Sequence, residues 1–471
     1  MEHPEMTLPA PDTDTICAIS TPSGVGGIAI ARVSGPRAIS IADKIWQGKP
    51  LGTLPPRTAH LGTVTDTAGQ PLDNALVTTF RTPASFTGED IVEISVHGSR
   101  WIQQELISSL IQAGCRIAEP GEFTRRAFAN SRIDLIEAEA IADLIDSTSR
   151  AAHRIAINQM RGSLSRSIET LRQQLLELAS LLELELDFAE EDVEFADRTT
   201  LIATATKIAE TTAALTASFA AGTAIKEGIP VAIAGPTNAG KSTILNLLSR
   251  EDRAIVSDIH GTTRDTIETT IEIDSLPLRI IDTAGLRHTD DIIENLGIQR
   301  TLQAIDHASI ILNIIDATTA PATPSPHIPN THPGLITIIN KTDLLPTHRD
   351  IEKTAANIAR DHHLATPPLT ISAIDPAARD TLAAAITAKA REIGLHTHEN
   401  DIIITNARHH HALNDAHTSI LRVIQGLRQG ISADFIAQDL RDTIHHLGLI
   451  TGDITPSDIL ASIFSRFCIG K

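Results

Sequence analysis

The sequence predicts a chain of mixed class, α/β and α in several domains. An N-terminal α+β unit comes first, then a helical domain into which an α/β block with a parallel sheet is inserted. Three observations predict this. Strands and helices alternate from Ile229 to Arg391, the pattern of βαβ units on a parallel sheet. Helical periodicity flanks that block on both sides, and insertion is tolerated where chain ends lie close together. Ahead of both, Thr15 to about Phe128 mixes short β-rich runs with a helix. At 471 residues, the chain is long enough for two or three domains with cores of their own.

Each element has a local reason. Ile28–Val33 and Ile91–Val96 are β-rich runs bounded by Gly clusters. Trp101 to Ala113 reads as an amphipathic helix closed by Gly114. From Ile133 to about Leu186 the pattern is long helices. Leu164, Ile168, Leu171, Leu175, Leu178, Leu182 and Leu186 step by three and four, which puts one apolar stripe against a bundle core. The acidic run Glu183, Glu185, Asp187, Glu190, Glu191, Asp192 and Glu194 is expected to be a solvated face, since it lacks His and Cys. After Asn400 helical periodicity returns in Leu413, Ile420, Leu421, Ile424 and Leu427. His409, His410 and His411 are adjacent, so on a helix they point in different directions and do not suggest a metal site. Ala317 to Gly334 is Pro/Thr-rich and reads as an irregular loop. The expected division is 1–128, 129–226, 227–395 and 396–471.

Composition narrows the setting. Aromatics are few and Tyr is absent, so the cores must be Ile, Leu, Val and Ala. A formal charge of −19 removes any general basic excess for phosphate neutralisation, so an RNA substrate needs a local patch or a second protein. Cys17, Cys115 and Cys468 are far apart and odd in number, which fits a reducing cytosol better than a disulfide framework. The acidic, Pro-rich start lacks a signal pattern. No apolar run reaches the roughly 20 residues that span a bilayer, so a cytoplasmic protein without a membrane role is expected.

The α/β block carries chemistry. Gly235-Pro-Thr-Asn-Ala-Gly-Lys-Ser242 follows the apolar strand Ile229–Ala234 and opens the helical stretch Thr243–Leu248. This is the phosphate-loop pattern in its strand–loop–helix context. Backbone N–H groups over Asn238, Ala239, Gly240 and Thr243 would face phosphates. Lys241 would reach the β/γ-phosphates, and Ser242 would bind Mg²⁺. Gly261-Thr-Thr-Arg-Asp265 offers Thr263 as a second Mg²⁺ ligand, and Ser257, Asp258, Ile259, His260 and Thr262 are expected to border the nucleotide with it. Asp282-Thr283-Ala284-Gly285 ends a strand at Leu278–Ile281, which places Asp282 near the metal and Gly285 near the γ-phosphate. Asn340-Lys341-Thr342-Asp343 ends another, and the Asp343 carboxylate can accept both N–H donors of guanine, which adenine lacks. Ser372-Ala373 adds a backbone contact to the base. Ordinary turns after strands explain any one element but not five in order, so a GTPase is expected.

Hydrolysis needs a further group. Leu286 stands where Ras-like enzymes carry a water-orienting Gln, and Leu can neither donate nor accept a hydrogen bond. Asp290, Asp291 and Glu294 are the candidates just downstream. No arginine finger is identifiable, so transition-state charge needs another source. A monovalent cation at the phosphate loop can supply it, with Asn238 offering a side-chain oxygen.

The chain also resembles the tRNA-modifying GTPases of the MnmE (TrmE) family over nearly its whole length. The resemblance rests on Ser85-Phe-Thr-Gly-Glu-Asp90, Pro120-Gly-Glu-Phe-Thr-Arg-Arg-Ala-Phe128, Leu135-Ile-Glu-Ala-Glu-Ala-Ile-Ala-Asp-Leu-Ile145 and the final Cys468-Ile-Gly-Lys471. It implies a folate-binding N-terminal domain that also dimerises, a split helical domain and an inserted Ras-like P-loop G domain. It further implies a heterotetramer in which a homodimer works with an FAD-dependent MnmG-type partner. Together they would add a carboxymethylaminomethyl or aminomethyl group at C5 of the wobble uridine U34 of certain tRNAs. The one-carbon donor would be 5-formyl- or methylene-tetrahydrofolate.

By the same resemblance Asn238, Ser257, Ile259 and Thr262 would coordinate K⁺, and Glu294 would orient the water. Arg32, Glu93, Arg132 and Lys471 would contact the folate, and Cys468 would serve modification. Thr237, Ser257 and Arg132 depart from the family's common Pro, Thr and Lys; the last keeps the charge but alters its geometry. Two other functions compete: a regulatory GTPase in ribosome assembly, and a folate-binding scaffold with a vestigial GTPase. The terminal signatures favour tRNA modification over the first, and the complete nucleotide set argues against the second.

Overall fold

The computed structural model describes residues 14–187, 198–249, 268–281, 304–319, 328–329, 331–361, 363–364, 366–395, 401–454, 456–465, 467 and 470. The chain opens with β1 (Ile16–Ile19), β2 (Gly26–Ser34), α1 (Ala38–Ala42), β3 (Trp46–Gln47), β4 (Ala59–Thr65), β5 (Pro71–Phe80), β6 (Ile91–Gly98), α2 (Arg100–Ala113), β7 (Arg116–Ile117) and α3 (Glu122–Ala129). Helices α4 (Leu135–Asp146), α5 (Arg150–Met160), α6 (Ser163–Asp187), α7 (Arg198–Ala217) and α8 (Phe219–Glu227) follow. Next come β8 (Ile229–Ala234), α9 (Lys241–Ser249), β9 (Glu268–Ile273), β10 (Leu276–Ile281), β11 (Ile310–Asp316), β12 (Leu335–Asn340), α10 (His348–Asp361), β13 (Leu369–Thr370) and α11 (Ala378–Glu392). Helices α12 (Ala407–Gln429), α13 (Ala433–Thr451) and α14 (Ser457–Phe464) come last. They group into two compact units, 1–145 with 158–206 and 418–471, and 146–157 with 207–417.

In the first unit seven strands form one sheet in the order β3-β4-β5-β6-β2-β1-β7. Two of them, β2 and β6, are the β-rich runs legible in the sequence. On β2, Ala29, Ala31 and Val33 are buried while Ile28, Ile30 and Arg32 face the other way, the period-2 alternation of a strand with one core face. The buried face meets α1 and α2 in a cluster that includes Ala31, Val33, Val92, Ile94, Leu106 and Leu110. The predicted helix over Trp101–Ala113 is α2, and Gly114 ends it at φ +120°.

The apolar stripe of α6 behaves as its spacing predicts. Leu164, Ile168, Leu171, Leu175, Leu178 and Leu182 are all buried, the Leu186 side chain lies outside the described ones, and α6 packs against α13. Glu183 at its end is exposed and pairs with Arg441 at 3.5 Å; Glu190 to Glu194 lie outside the described residues. The chain's far end joins the same unit. Phe464 and Phe467 pack with Leu135 and Ala138.

The second unit holds a six-stranded sheet, β13-β12-β11-β8-β10-β9, parallel except where β9 meets β10. β11 and β12 are buried at every position, as strands covered on both faces must be. Val231, Ile233, Leu312, Ile314 and Ile338 pack with Ile244 and Leu247 of α9 and Leu382 and Ile386 of α11. Ala232, Ala234 and Ile311 pack with Ile305 in a separate cluster. Of the adjacent histidines, His409 is buried, His410 stacks on Phe219 at 4.4 Å and His411 is exposed, so the three diverge. Among the described residues no helix is long and apolar enough to cross a membrane.

Candidate functional site

Gly235–Ser242 runs from β8 into α9, the strand–loop–helix setting of its pattern. β8 ends at Ala234 and α9 begins at Lys241, two residues earlier than the sequence suggests. That places Lys241 and Ser242 in the helix's first turn, where N–H groups lack intrahelical acceptors. Lys241 Nζ donates to the carbonyls of Gly235 and Pro236 at 2.8 Å each, so the lysine folds over its own loop. Ser242 and Asn238 are exposed at its rim. Gly240 has φ +99°, and a Cβ built there would lie 2.2 Å from Asn340 Nδ2. Only glycine lets the loop approach that closely.

Asn340 joins three of the sequence elements. Its Nδ2 donates to the Ala239 carbonyl at 2.9 Å, and its Oδ1 accepts the Ala373 N–H at 3.0 Å. The phosphate loop, the Asn340–Asp343 turn and Ser372–Ala373 are thereby held at one end of the sheet. Asp343 is exposed there and its Oδ1 accepts the Ser372 hydroxyl at 2.6 Å. Thr342 N–H donates to the Ile371 carbonyl at 3.3 Å.

Sequence reasoning missed Asp316. It ends β11 opposite Asn340, and its Oδ2 pairs with Lys341 Nζ at 2.6 Å. Its Oδ1 accepts the Thr318 N–H at 2.9 Å and the Thr318 hydroxyl at 2.7 Å. Burial alone would raise this carboxyl, but the Lys341 and Thr318 hydrogen bonds outweigh it and hold the group below the usual carboxylate range. The available signal was an acidic residue closing the apolar run Ile310–Ile315. Leu344 and Ile374, 61% and 71% exposed, follow directly after Asp343 and Ala373 and lie outside the motif patterns.

Ser257 through Thr263, Asp282 through Gly285, Leu286, Asp290, Asp291, Glu294, Cys468 and Lys471 lie outside the described residues.

In the first unit Arg32 and Glu93 face each other across β2 and β6. The guanidinium bonds Glu93 Oε1 at 2.8 Å, and it sits 5.6 Å from the Phe86 ring and 5.7 Å from the Phe123 ring, within cation–π range. Phe86 and Phe123 belong to the two N-terminal signature segments, which meet again deeper in the unit. Arg126, 3% exposed, pairs with Glu89 at 3.1 Å and Glu122 at 3.0 Å. Burial alone would raise Glu122, yet hydrogen bonds from Arg116, the Glu119 N–H and Arg126 keep its carboxyl below the ordinary value. A charge this deep is tolerated only when paired in this way.

Arg132 is exposed, and its Cγ would be 3.1 Å from a Cβ on Gly88 of the first signature. The end of the chain reaches β1. The Gly470 carbonyl accepts the Ser20 hydroxyl at 3.0 Å, and a Cβ on Gly470 would lie 2.2 Å from the Ile19 carbonyl oxygen. Strand β1 pairs with β2, with Ala18 opposite Arg32.

Comparison with known proteins identifies the family. Residues 135–468 match the family described as MnmE helical domain, and residues 15–132 match the family described as GTP-binding protein TrmE N-terminus. The tRNA modification GTPase MnmE of Parabacteroides distasonis is 48% identical over 469 residues, covering 97% of this chain and 100% of that one. The protein of the same description from Bacteroides fragilis is 47% identical, covering 97% and 99%. That from Flavobacterium johnsoniae is 44% identical over 470 residues, covering 97% and 99%. The chain belongs to the MnmE (TrmE) family of tRNA modification GTPases.

Proposed function

We propose that this chain is a K⁺-dependent GTPase that acts with an FAD-dependent partner on C5 of the wobble uridine of certain tRNAs. The observation that carries the GTP half is Asn340, which holds the phosphate loop and both base-reading elements at one sheet end. Asp343 would accept the guanine donors, and Lys241 would move from its loop carbonyls to the β/γ-phosphates. Exposed Leu344 and Ile374 would meet the base's apolar faces. Ser242 and Thr263 would hold Mg²⁺, whose chemistry is to neutralise phosphate charge. Asn238, Ser257, Ile259 and Thr262 would hold K⁺ in the role an arginine finger plays elsewhere. Glu294 would orient the attacking water.

Turnover is expected to be faster in K⁺ than in Na⁺ at equal ionic strength and saturating Mg²⁺, with rubidium or ammonium partly substituting. Equal rates in the two salts would remove the cation from the mechanism.

The modification half would reside at 1–128 together with the terminal motif. Arg32 near the Phe86 and Phe123 rings and beside Glu93 suits a ligand with an aromatic ring and an anionic tail, as a tetrahydrofolate derivative has. Arg132, and Lys471 next to Gly470, would add charge to the same site. The segments 129–226 and 396–471 would form a split helical domain around a G domain at 227–395, in a cytoplasmic homodimer.

Nucleosides of tRNA from cells lacking the protein should lose the C5 modification at U34, as read by mass spectrometry. Unchanged U34 alongside defective ribosome assembly would favour a regulatory GTPase instead. Restoring the gene as Cys468→Ser should return normal GTP hydrolysis but not the modified nucleoside. Full modification by that variant would remove Cys468 from the chemistry, and loss of both activities would mark a folding defect.

A further inference from the structure

We propose that Asp316 is a positioning residue for nucleotide selectivity: it holds Lys341 so that the Asn340–Asp343 turn presents Asp343 to a guanine base. The proposal rests on the preceding reading of this sheet end as a guanine site. It starts from an unusual backbone. Lys341 has φ +65°, a conformation a long side chain adopts only where its surroundings enforce it. Three tethers enforce it here. Asn340 carbonyl accepts the Ala317 N–H at 2.9 Å, Thr342 N–H reaches the Ile371 carbonyl at 3.3 Å, and the Lys341 ammonium is held by Asp316 at 2.6 Å.

Two of these are backbone bonds that almost any sequence could make. The third is specific to side chains, and it is the one that uses a buried charge. Asp316 is only 9% exposed against 31% for Lys341. A carboxylate taken out of water destabilises the fold unless its oxygens are satisfied. Both are: one by Lys341, the other twice by Thr318. Lys341 cannot rotate away without leaving a buried carboxylate oxygen unpartnered, whereas its own ammonium keeps access to water. The turn is therefore pinned to the end of β11 two residues before Asp343, whose side chain is exposed and steadied by Ser372. A base reader must hold its acceptor rigidly, because a carboxylate that wanders loses the paired geometry that two donors demand.

A purely structural brace predicts something different. It would lower thermal stability and weaken all purine nucleotides alike. A positioning role predicts a selective loss, since inosine lacks the 2-amino group and offers Asp343 one donor instead of two. The test measures GDP and IDP dissociation constants of the purified full-length chain by competition against a fluorescent GDP analogue, with melting temperature recorded. Asp316→Asn should weaken GDP about tenfold and IDP distinctly less, with little change in melting temperature. Asp316→Glu should recover part of the loss. Adding Asp316→Asn to Lys341→Met should cost nothing beyond Lys341→Met alone, because the two residues act as one unit.

Equal weakening of GDP and IDP, or full additivity in the double variant, would overturn the proposal. So would unchanged GDP affinity in Asp316→Asn. If the unmodified chain binds neither nucleotide, the guanine-site reading itself fails, and that outcome is separable from a wild-type protein that binds GDP whatever stands at Asp316.

Discussion

Asp343→Asn is expected to weaken GTP binding by about 2–3 kcal/mol, roughly 30- to 150-fold, and to raise the affinity for xanthosine triphosphate. The reason is donor matching. Guanine presents an N1–H and a 2-amino group, two donors that a carboxylate can accept together. An amide in that place turns one acceptor into a donor, so donor faces donor and a buried group is left without its partner. Xanthine carries a carbonyl at C2, and the new amide N–H can serve it. The rest of the site should survive the change. Asn340 still bridges Ala239 and Ala373, and its bonds do not involve Asp343. The Ser372 hydroxyl, now donating to Asp343 at 2.6 Å, can donate to an amide oxygen as well. Competition of GTP and xanthosine triphosphate against a fluorescent GDP analogue reads both effects. An unchanged preference for GTP would show that Asn340–Asp343 does not read the base.

Glu294→Ala should lower kcat for GTP hydrolysis by about 10²–10⁴-fold while leaving nucleotide affinity within about twofold. Orienting a water acts chiefly in the transition state, so ground-state binding is spared. The case begins at Leu286, which cannot position a water where a Gln otherwise does so. Single-turnover hydrolysis measured beside equilibrium binding separates the two quantities. A wild-type rate in the variant would redirect attention to Asp290 and Asp291. Parallel loss of binding would mean that Glu294 supports the nucleotide pocket instead.

Much of the fold was legible because its signals are local. The strand Ile229–Ala234 has the bounds its apolar run suggests, since a parallel strand buried on both faces is uniformly apolar and Gly235 breaks it. The α6 stripe was legible for a similar reason: a 3.6-residue period places leucines on one side whatever they pack against. Strands β4 and β5 carry no such local signal. Their exposed Leu61 and Leu76 sit opposite each other, which blurs the alternation of apolar and polar residues that marks a half-buried strand.

The sequence by itself determined the order of the nucleotide motifs, the residue types within them and the guanine preference they imply, because those depend on short-range backbone and side-chain chemistry. Only the tertiary structure decided which of these residues hold one another. Strand β11 lies between β8 and β12, and this non-consecutive order carries Asp316 to the end of the sheet where Lys341 stands. The same holds for Arg32, within cation–π range of Phe86 and Phe123 from two separate segments, and for Gly470, seated on Ile19 and Ser20. Periodicity reports the face a residue turns to the core. It carries no information about which distant element will cover that face, because that choice is made by packing and hydrogen bonding between elements whose separation along the chain leaves no pattern in it.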